Sequence, residues 1–190
     1  MAVSSTTSGS EPPHGRVLVG TRDSEVFLQV EGRGTHLNSQ PVRDFLTQMV
    51  ELGYRLFRLE LGKCLSLDST FLGVLASTCL RLNALSGRFS VCGASPRNLD
   101  LLRTLGIDRF FDFDTVTDSP AAPPSALTAL EPTLGDKQAW GETMLEAHRT
   151  LTECDARNVT RFKDVIEYLE EDLSTPRLPL PTQPSGRGGH

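Results

Sequence analysis

The sequence lacks a basic excess, a basic leader and a long apolar run. Its 19 lysine and arginine residues are outnumbered by 24 acidic residues, which gives a formal net charge of -5 at pH 7. Such a chain has no broad positive field to hold a polyanion, so nucleic acid is not expected as a partner. The opening MAVSSTTSGSEPP has neither a basic start nor an apolar stretch, and no later segment reaches the length of a membrane span. These absences predict a cytoplasmic protein with no membrane partner.

The sequence also lacks the usual metal, disulfide and catalytic motifs. Cys64, Cys79, Cys92 and Cys154 form no C-x-x-C pair and have no histidine at ligand spacing beside them. We expect these thiols to be reduced and mostly buried, and therefore inert, because burial raises the pKa of a thiol. There is no G-x-S-x-G elbow and no glycine-rich phosphate loop. No metal, cofactor or enzymatic activity is therefore expected.

What is present is an alternation of strand-like and helix-like segments between residues 16 and 114. RVLVG, EVFLQVEG, LFRLELG and FSVCG favour strands, and RFFDF favours a last short one. Helical periodicity follows in three segments, the first of which would be capped by Asn38 or Ser39 with Pro41 in its first turn. Strands joined by single helices predict an α/β fold with a mostly parallel sheet and an antiparallel element at the opening.

The flanking segments differ in composition from this domain. Residues 1–15 and 174–190 are rich in small polar residues, glycine and proline, which is typical of disorder. Residues 115–135 carry four prolines and favour an extended linker. Residues 136–173 have helical periodicity interrupted at DARN, which predicts an α-helical hairpin. That hairpin could pack on the domain as a stabilising cap, or its acidic face could bind a partner or form a homodimer contact.

The stretch LSLDSTFLGVLA places Asp68, Ser69 and Thr70 between a strand and a helix. All three residue types cap helices well, so stability alone could explain them. A helix start also presents free backbone N–H groups and a positive dipole end, where a modified hydroxyl could act as a switch. No histidine is adjacent in sequence, and His36 and His148 could reach Asp68 only through the tertiary structure. A hydrolase is therefore disfavoured.

The whole succession resembles the STAS domain, named for sulphate transporters and anti-sigma factor antagonists. The resemblance rests on x-L-D-S-T-x-L-G-V-L-A and on VCGASPRNLDLLRTLGID, and it covers about residues 16–114. In the bacterial antagonists the motif is typically D-S-[ST]-G-L-G, with the second hydroxyl phosphorylated. The resemblance therefore implies Thr70 as phosphoacceptor, with a switch loop that also includes Asp68, Ser69, Gly73 and the Ser95 of CGASP. Phe71 stands where the family has glycine, and it either offers apolar contact area to a partner or points into the core.

The resemblance implies a bacterial partner-switching function in the regulation of transcription. Its partners would be an anti-sigma factor that is a serine/threonine kinase and a phosphatase of the PP2C type. Phosphate at Thr70 would add about -1.5 to -2 charges and change which partner binds. The alternative is a sensor of a small ligand or nucleotide, held in a shallow pocket between the loops at Asp68 and Ser95–Pro96.

Overall fold

A computed structural model describes residues 15–113, 124–132 and 137–175. Nearly all of the predicted arm and tail, and much of the predicted linker, lie outside these residues. The described strands are β1 (Arg16–Arg22), β2 (Glu25–Gly34), β3 (Leu56–Glu60), β4 (Cys64–Leu67), β5 (Arg88–Cys92), β6 (Asp112–Phe113) and β7 (Thr128–Leu130). The described α-helices are α1 (His36–Glu51), α2 (Ser69–Ala84), α3 (Pro96–Thr104), α4 (Lys137–Cys154) and α5 (Arg157–Ser174).

The strands form one mixed sheet. Six of them follow the spatial order β6-β5-β3-β2-β1-β7, while β4 pairs with the end of β2. Strand β1 pairs antiparallel with β2 and with β7, and the pairs of β2 with β3, β3 with β5 and β5 with β6 are parallel. The predicted α/β fold is thus confirmed, with its parallel sheet and its antiparallel opening.

Several elements differ from the sequence-based expectations. Strand β7 lies within the segment expected to be a plain linker, where its three residues gain backbone partners along β1. Strand β4 was not predicted, and of the last predicted strand only Asp112–Phe113 pairs, because Asp108–Phe110 forms a 3-10 turn. Helix α1 begins at His36 rather than beside Asn38, so Pro41 lies inside it. The side chain of Asn38 instead accepts a hydrogen bond from the Thr35 N–H at 3.3 Å, which supports the earlier start.

The helical hairpin shares the core of the STAS-like domain. Helix α4 packs against α2 and α5, and it also touches α1. Ala147, Leu151, Cys154 and Phe162 belong to the same buried apolar cluster as the sheet and α2. Burial of large apolar side chains stabilises by about 1.5–3 kcal/mol each, so the hairpin contributes to the stability of the whole fold. No described helix is long and apolar enough to cross a membrane.

Candidate partner-binding site at the start of α2

Asp68 joins the first turns of two helices. It is the N-cap of α2, and its Oδ1 accepts a hydrogen bond from the Phe71 N–H at 2.8 Å. Its Oδ2 accepts one from the N–H of His36, the first residue of α1, at 2.7 Å. The Nδ1 of His36 lies 3.4 Å from the same oxygen. Asp68 therefore has a capping role, and it also holds the starts of α1 and α2 together.

The two hydroxyl residues after Asp68 lie in different surroundings. Ser69 is half-buried, and its Oγ lies 2.9 Å from Nε2 of His148, which belongs to α4. Thr70 is only 3% exposed. Gly73 follows one turn later on the same side of α2, and we call the face formed by Ser69, Thr70 and Gly73 the switch face. The hydroxyl implied as phosphoacceptor is thus not open to solvent in this conformation.

The hydrogen bonds of His148 define its tautomer and its charge. Its Nδ1 lies 2.7 Å from the carbonyl of Met144, an acceptor only, so Nδ1 carries the proton. Nε2 then accepts a hydrogen bond from the Ser69 hydroxyl. Burial lowers the pKa of His148 from its ordinary value of 6.5, although the Met144 bond and the charge of Asp68 act in the opposite direction. The imidazole is therefore neutral at pH 7, with its ring against Phe162 at a centroid distance of 4.9 Å.

Gly73 permits the close crossing of α2 and α4. A Cβ at this position would overlap the backbone of Ala147, including its carbonyl group. Phe71 is fully buried, and its ring packs where Gly34 leaves room at the end of β2. Of the two alternatives for Phe71, the side chain therefore points into the core, and it offers no surface to a partner in this conformation. The switch face is formed by small side chains, which suits contact with another helix.

Trp140 anchors the first half of α4 above α1. Its Nε1–H donates a hydrogen bond to the backbone carbonyl of His36 at 3.1 Å. The indole ring of Trp140 and the imidazole ring of His36 meet edge to face with their centroids 4.9 Å apart. Both histidines that could reach Asp68 only through tertiary structure do meet the motif, His36 at Asp68 and His148 at Ser69.

Ser95 has a separate structural role as the N-cap of α3. Its Oγ accepts a hydrogen bond from the Asn98 N–H at 3.2 Å. The side chain of Asn98 in turn donates to the carbonyl of Cys64 at 3.3 Å, which fixes α3 to β4. Ser95 thus stabilises the loop after β5, and within the described part of the chain no hydrogen bond joins its side chain to the switch face.

One groove of about 530 Å³ lies between α1, α2 and α4. Leu46, Val50 and Val74 give it an apolar floor, and Arg43 and Arg81 lie at its rim. Neither Asp68 nor Ser95 lines this groove. The groove therefore lies away from the loops where the sequence predicted a shallow ligand pocket.

The structure offers no alternative chemistry at the cysteines. All four thiols are free and buried, and burial raises the pKa of each, that of Cys92 to about 12 with a contribution from Glu60. Thiols of this kind are poor nucleophiles at neutral pH. Among the residues that the structure describes, no group of three His, Cys, Asp or Glu side chains could hold a metal ion.

Comparison with known proteins identifies the region that carries this site. The family model described as Mlab, STAS domain matches residues 17–116. An anti-sigma factor antagonist from Mycobacterium paratuberculosis matches with 21% identity and a TM-score of 0.50, over 57% of this chain and 93% of its own. A putative antagonist from Thermotoga maritima has 21% identity and a TM-score of 0.47, over 52% and 86% of the two chains. The phosphorylated form of the Bacillus cell fate determinant SpoIIAA has 17% identity and a TM-score of 0.45, over 53% and 92%. No curated protein sequence matches this chain.

Proposed function

Because this chain belongs to the STAS domain family over residues 17–116, we propose that it is a phosphorylation-controlled protein-interaction module of the anti-sigma factor antagonist type. Its partner is a kinase of the anti-sigma factor type, and Thr70 is the hydroxyl that this kinase modifies. The observation that carries the proposal is the position of Thr70, in the first turn of α2 and two residues after the N-cap Asp68.

The charge of a phosphate explains how modification would change binding. A phosphothreonine carries about -1.5 to -2 charges, which the positive end of α2 tolerates locally. A partner surface that covers Thr70 would have to remove this charge from water, two residues from the carboxylate of Asp68. Phosphorylation therefore weakens the complex or favours another partner. A phosphatase of the PP2C type would restore the first state.

This proposal involves no reaction catalysed by the chain itself. The hydrogen bond between Ser69 and His148 resembles the nucleophile–base pair of a serine hydrolase, but a catalytic pair needs access to a substrate. His148 is 3% exposed, its ring lies against Phe162, and the backbone of Ala147 crosses α2 one turn from Ser69. The pair is better explained as a contact that holds α4 on α2.

The second candidate function is the sensing of a small ligand, and the groove between α1, α2 and α4 favours it. Its volume of about 530 Å³ is in the range of small-molecule sites. A ligand bound there would contact the switch helix α2 and α4 together. A metabolite or nucleotide that raises the melting temperature of the purified protein would support this candidate, because binding to the folded state stabilises it.

The test of the leading proposal compares four baits in lysate of the organism that produces the protein: wild type, Thr70→Ala, Thr70→Glu and Thr160→Glu. Thr160 is an exposed threonine of α5, so Thr160→Glu adds the same charge away from the switch face. We expect a kinase-like regulator to bind wild type, Thr70→Ala and Thr160→Glu, and to be lost from Thr70→Glu. Capture of the same proteins by all four baits would contradict the proposal.

A further inference from the structure

The α4–α5 hairpin lies outside the residues that match the STAS family, and yet it contacts the motif that gives the family its switch. The family match ends at residue 116, whereas α4 begins at Lys137. Helix α4 reaches the motif at two points, namely His148 on Ser69 and Ala147 at Gly73. Trp140 also contacts His36, whose N–H is hydrogen-bonded to Asp68 of the motif. A partner helix on the same face would meet α4 first.

We propose that α4 closes the switch face of α2 within the same chain, so that partner binding and modification of Thr70 both require α4 to lift. This inference rests on the proposed function, because it concerns access to the same hydroxyl. Thr70 is 3% exposed while α4 lies on α2. Helix α4 contacts Ser69 just before Thr70 and Gly73 just after it, and we take α4 as part of what covers Thr70. A phosphate cannot fit at such a buried position without displacing its cover, so the closed hairpin and a phosphorylated Thr70 exclude each other.

The contacts of the hairpin are distributed so that one end can lift while the other stays attached. The turn between α4 and α5 is held by Asn158, whose Nδ2 donates to the carbonyls of Leu105 and Leu151 at 2.9 and 2.8 Å. Arg161 donates to the carbonyl of Thr104, and Arg109 to that of Cys154. The bonds to Leu105 and Thr104 join the hairpin turn to the end of α3, and the bond from Arg109 joins it to the 3-10 turn that follows.

The opposite end of the hairpin lies against α1 rather than α3. The first half of α4 reaches α1 through the half-buried Trp140. The second half reaches the first turn of α2 through the hydrogen bond of His148 to Ser69. Because the side chains of Asn158, Arg161 and Arg109 fix the hairpin turn, the proposed opening begins at Trp140 and pivots about the turn near Cys154. The expected open state exposes residue 70 while the turn stays in contact with α3.

A cysteine at position 70 measures this opening directly. The full-length Thr70→Cys protein is compared with forms that also carry Ala147→Leu or Ala156→Leu. Ala147 is buried at the crossing with α2, so leucine there wedges α4 away without altering the switch face. Ala156 is exposed in the hairpin turn and provides the same substitution without the wedge. The rate of alkylation by iodoacetamide is measured at each cysteine by peptide mass mapping.

The native cysteines serve as internal controls, because burial raises the pKa of every one of them. We expect the thiol introduced by Thr70→Cys to react at least tenfold faster in the form with Ala147→Leu than in the other two. Cys79, in the centre of the core, should stay unreactive, and Cys154 at the pivot should change little. Equal rates at position 70 in all three forms would overturn the proposal, whether those rates are fast or slow.

If Cys79 reacts in the Ala147→Leu form, the fold itself has opened, and Trp140→Ala replaces the wedge. This variant removes the anchor of α4 without adding volume, and the same tenfold criterion applies. The measurement involves no kinase, so closure of the switch face can fail while Thr70 still proves to be a phosphorylation site. Closure can equally hold while Thr70 is never modified, which would refute the proposed function alone.

Discussion

Replacing Gly73 by alanine changes the stability of the protein in a direction that depends on whether α4 lies on α2. In the interior of a helix, glycine to alanine normally stabilises by about 1 kcal/mol, because alanine loses less backbone entropy. Here the new Cβ would overlap the backbone of Ala147, which has no rotamer with which to move aside. Overpacking of this kind costs about 1–3 kcal/mol. With a rigid neighbour the upper part of that range applies, and the net effect is a loss of about 2 kcal/mol.

Gly141→Ala is the matched control, because it makes the same change within α4. The nearest atom to its new Cβ is Cδ2 of Leu173 at 3.0 Å, the flexible end of a side chain. We expect this control to be neutral or to stabilise by up to about 1 kcal/mol. Both variants are measured by urea unfolding at pH 7.

The melting temperature gives a second reading of the same effect. For a protein of this size, 1 kcal/mol corresponds to about 2–4 °C, so Gly73→Ala should melt about 4–8 °C below wild type. If Gly73→Ala stabilises the protein as the control does, helix α4 does not lie on α2 in solution, and the closed switch face would be wrong.

Three further predictions concern the contacts around this face. Asp68→Ala should lower the free energy of unfolding by about 2 kcal/mol, because it removes both the cap of α2 and the hydrogen bond from the His36 N–H. Asp68→Asn should lower it less, because asparagine keeps Oδ1 as the capping acceptor. Equal losses for the two variants in urea unfolding would contradict this. Burial lowers the pKa of His148 below 6.5, so the unfolded chain takes up the proton first, and stability should be full above about pH 6.5 and fall below it. His148→Gln should remove the loss of stability that begins just below pH 6.5, before the carboxylates take up protons at lower pH. An unchanged dependence of stability on pH would show that His148 is not buried in its neutral form. Asn158→Asp should lower the free energy of unfolding by about 3 kcal/mol or more, because it places a carboxylate against the carbonyl oxygens of Leu105 and Leu151. A loss below about 1 kcal/mol in urea unfolding would show that this side chain does not hold the turn between α4 and α5.

The parts of the fold that depend on local patterns could be predicted from the sequence. Asp68 and Ser95 are recognisable as helix caps, and they mark the starts of α2 and α3. The helical periodicity of residues 136–173 predicts the hairpin of α4 and α5. Strand β7 could not be found in this way, because its three residues lie among prolines and small residues and become a strand only by pairing with β1. Local propensity is weak when backbone pairing decides the structure.

The candidate site shows the same limit more sharply. The Asp68–Ser69–Thr70 motif could be read directly, but its neighbours come from distant segments of the chain. His148 lies 79 residues from Ser69, and Trp140 lies 104 residues from His36. Gly73 is a local sign of a close approach that the sequence does contain, since glycine in a helix interior costs stability unless its small size is used.

The measurement that tests the central claim most directly is phosphopeptide mapping of the full-length protein isolated from its own cells. Wild type and Thr70→Ala are compared, with Ser69→Ala as the neighbouring control. The account predicts a phosphate on Thr70 in wild type and in Ser69→Ala, and none on this peptide in Thr70→Ala. A phosphate confined to Ser69, or no phosphate on the peptide in any growth condition in which the protein is active, would contradict it.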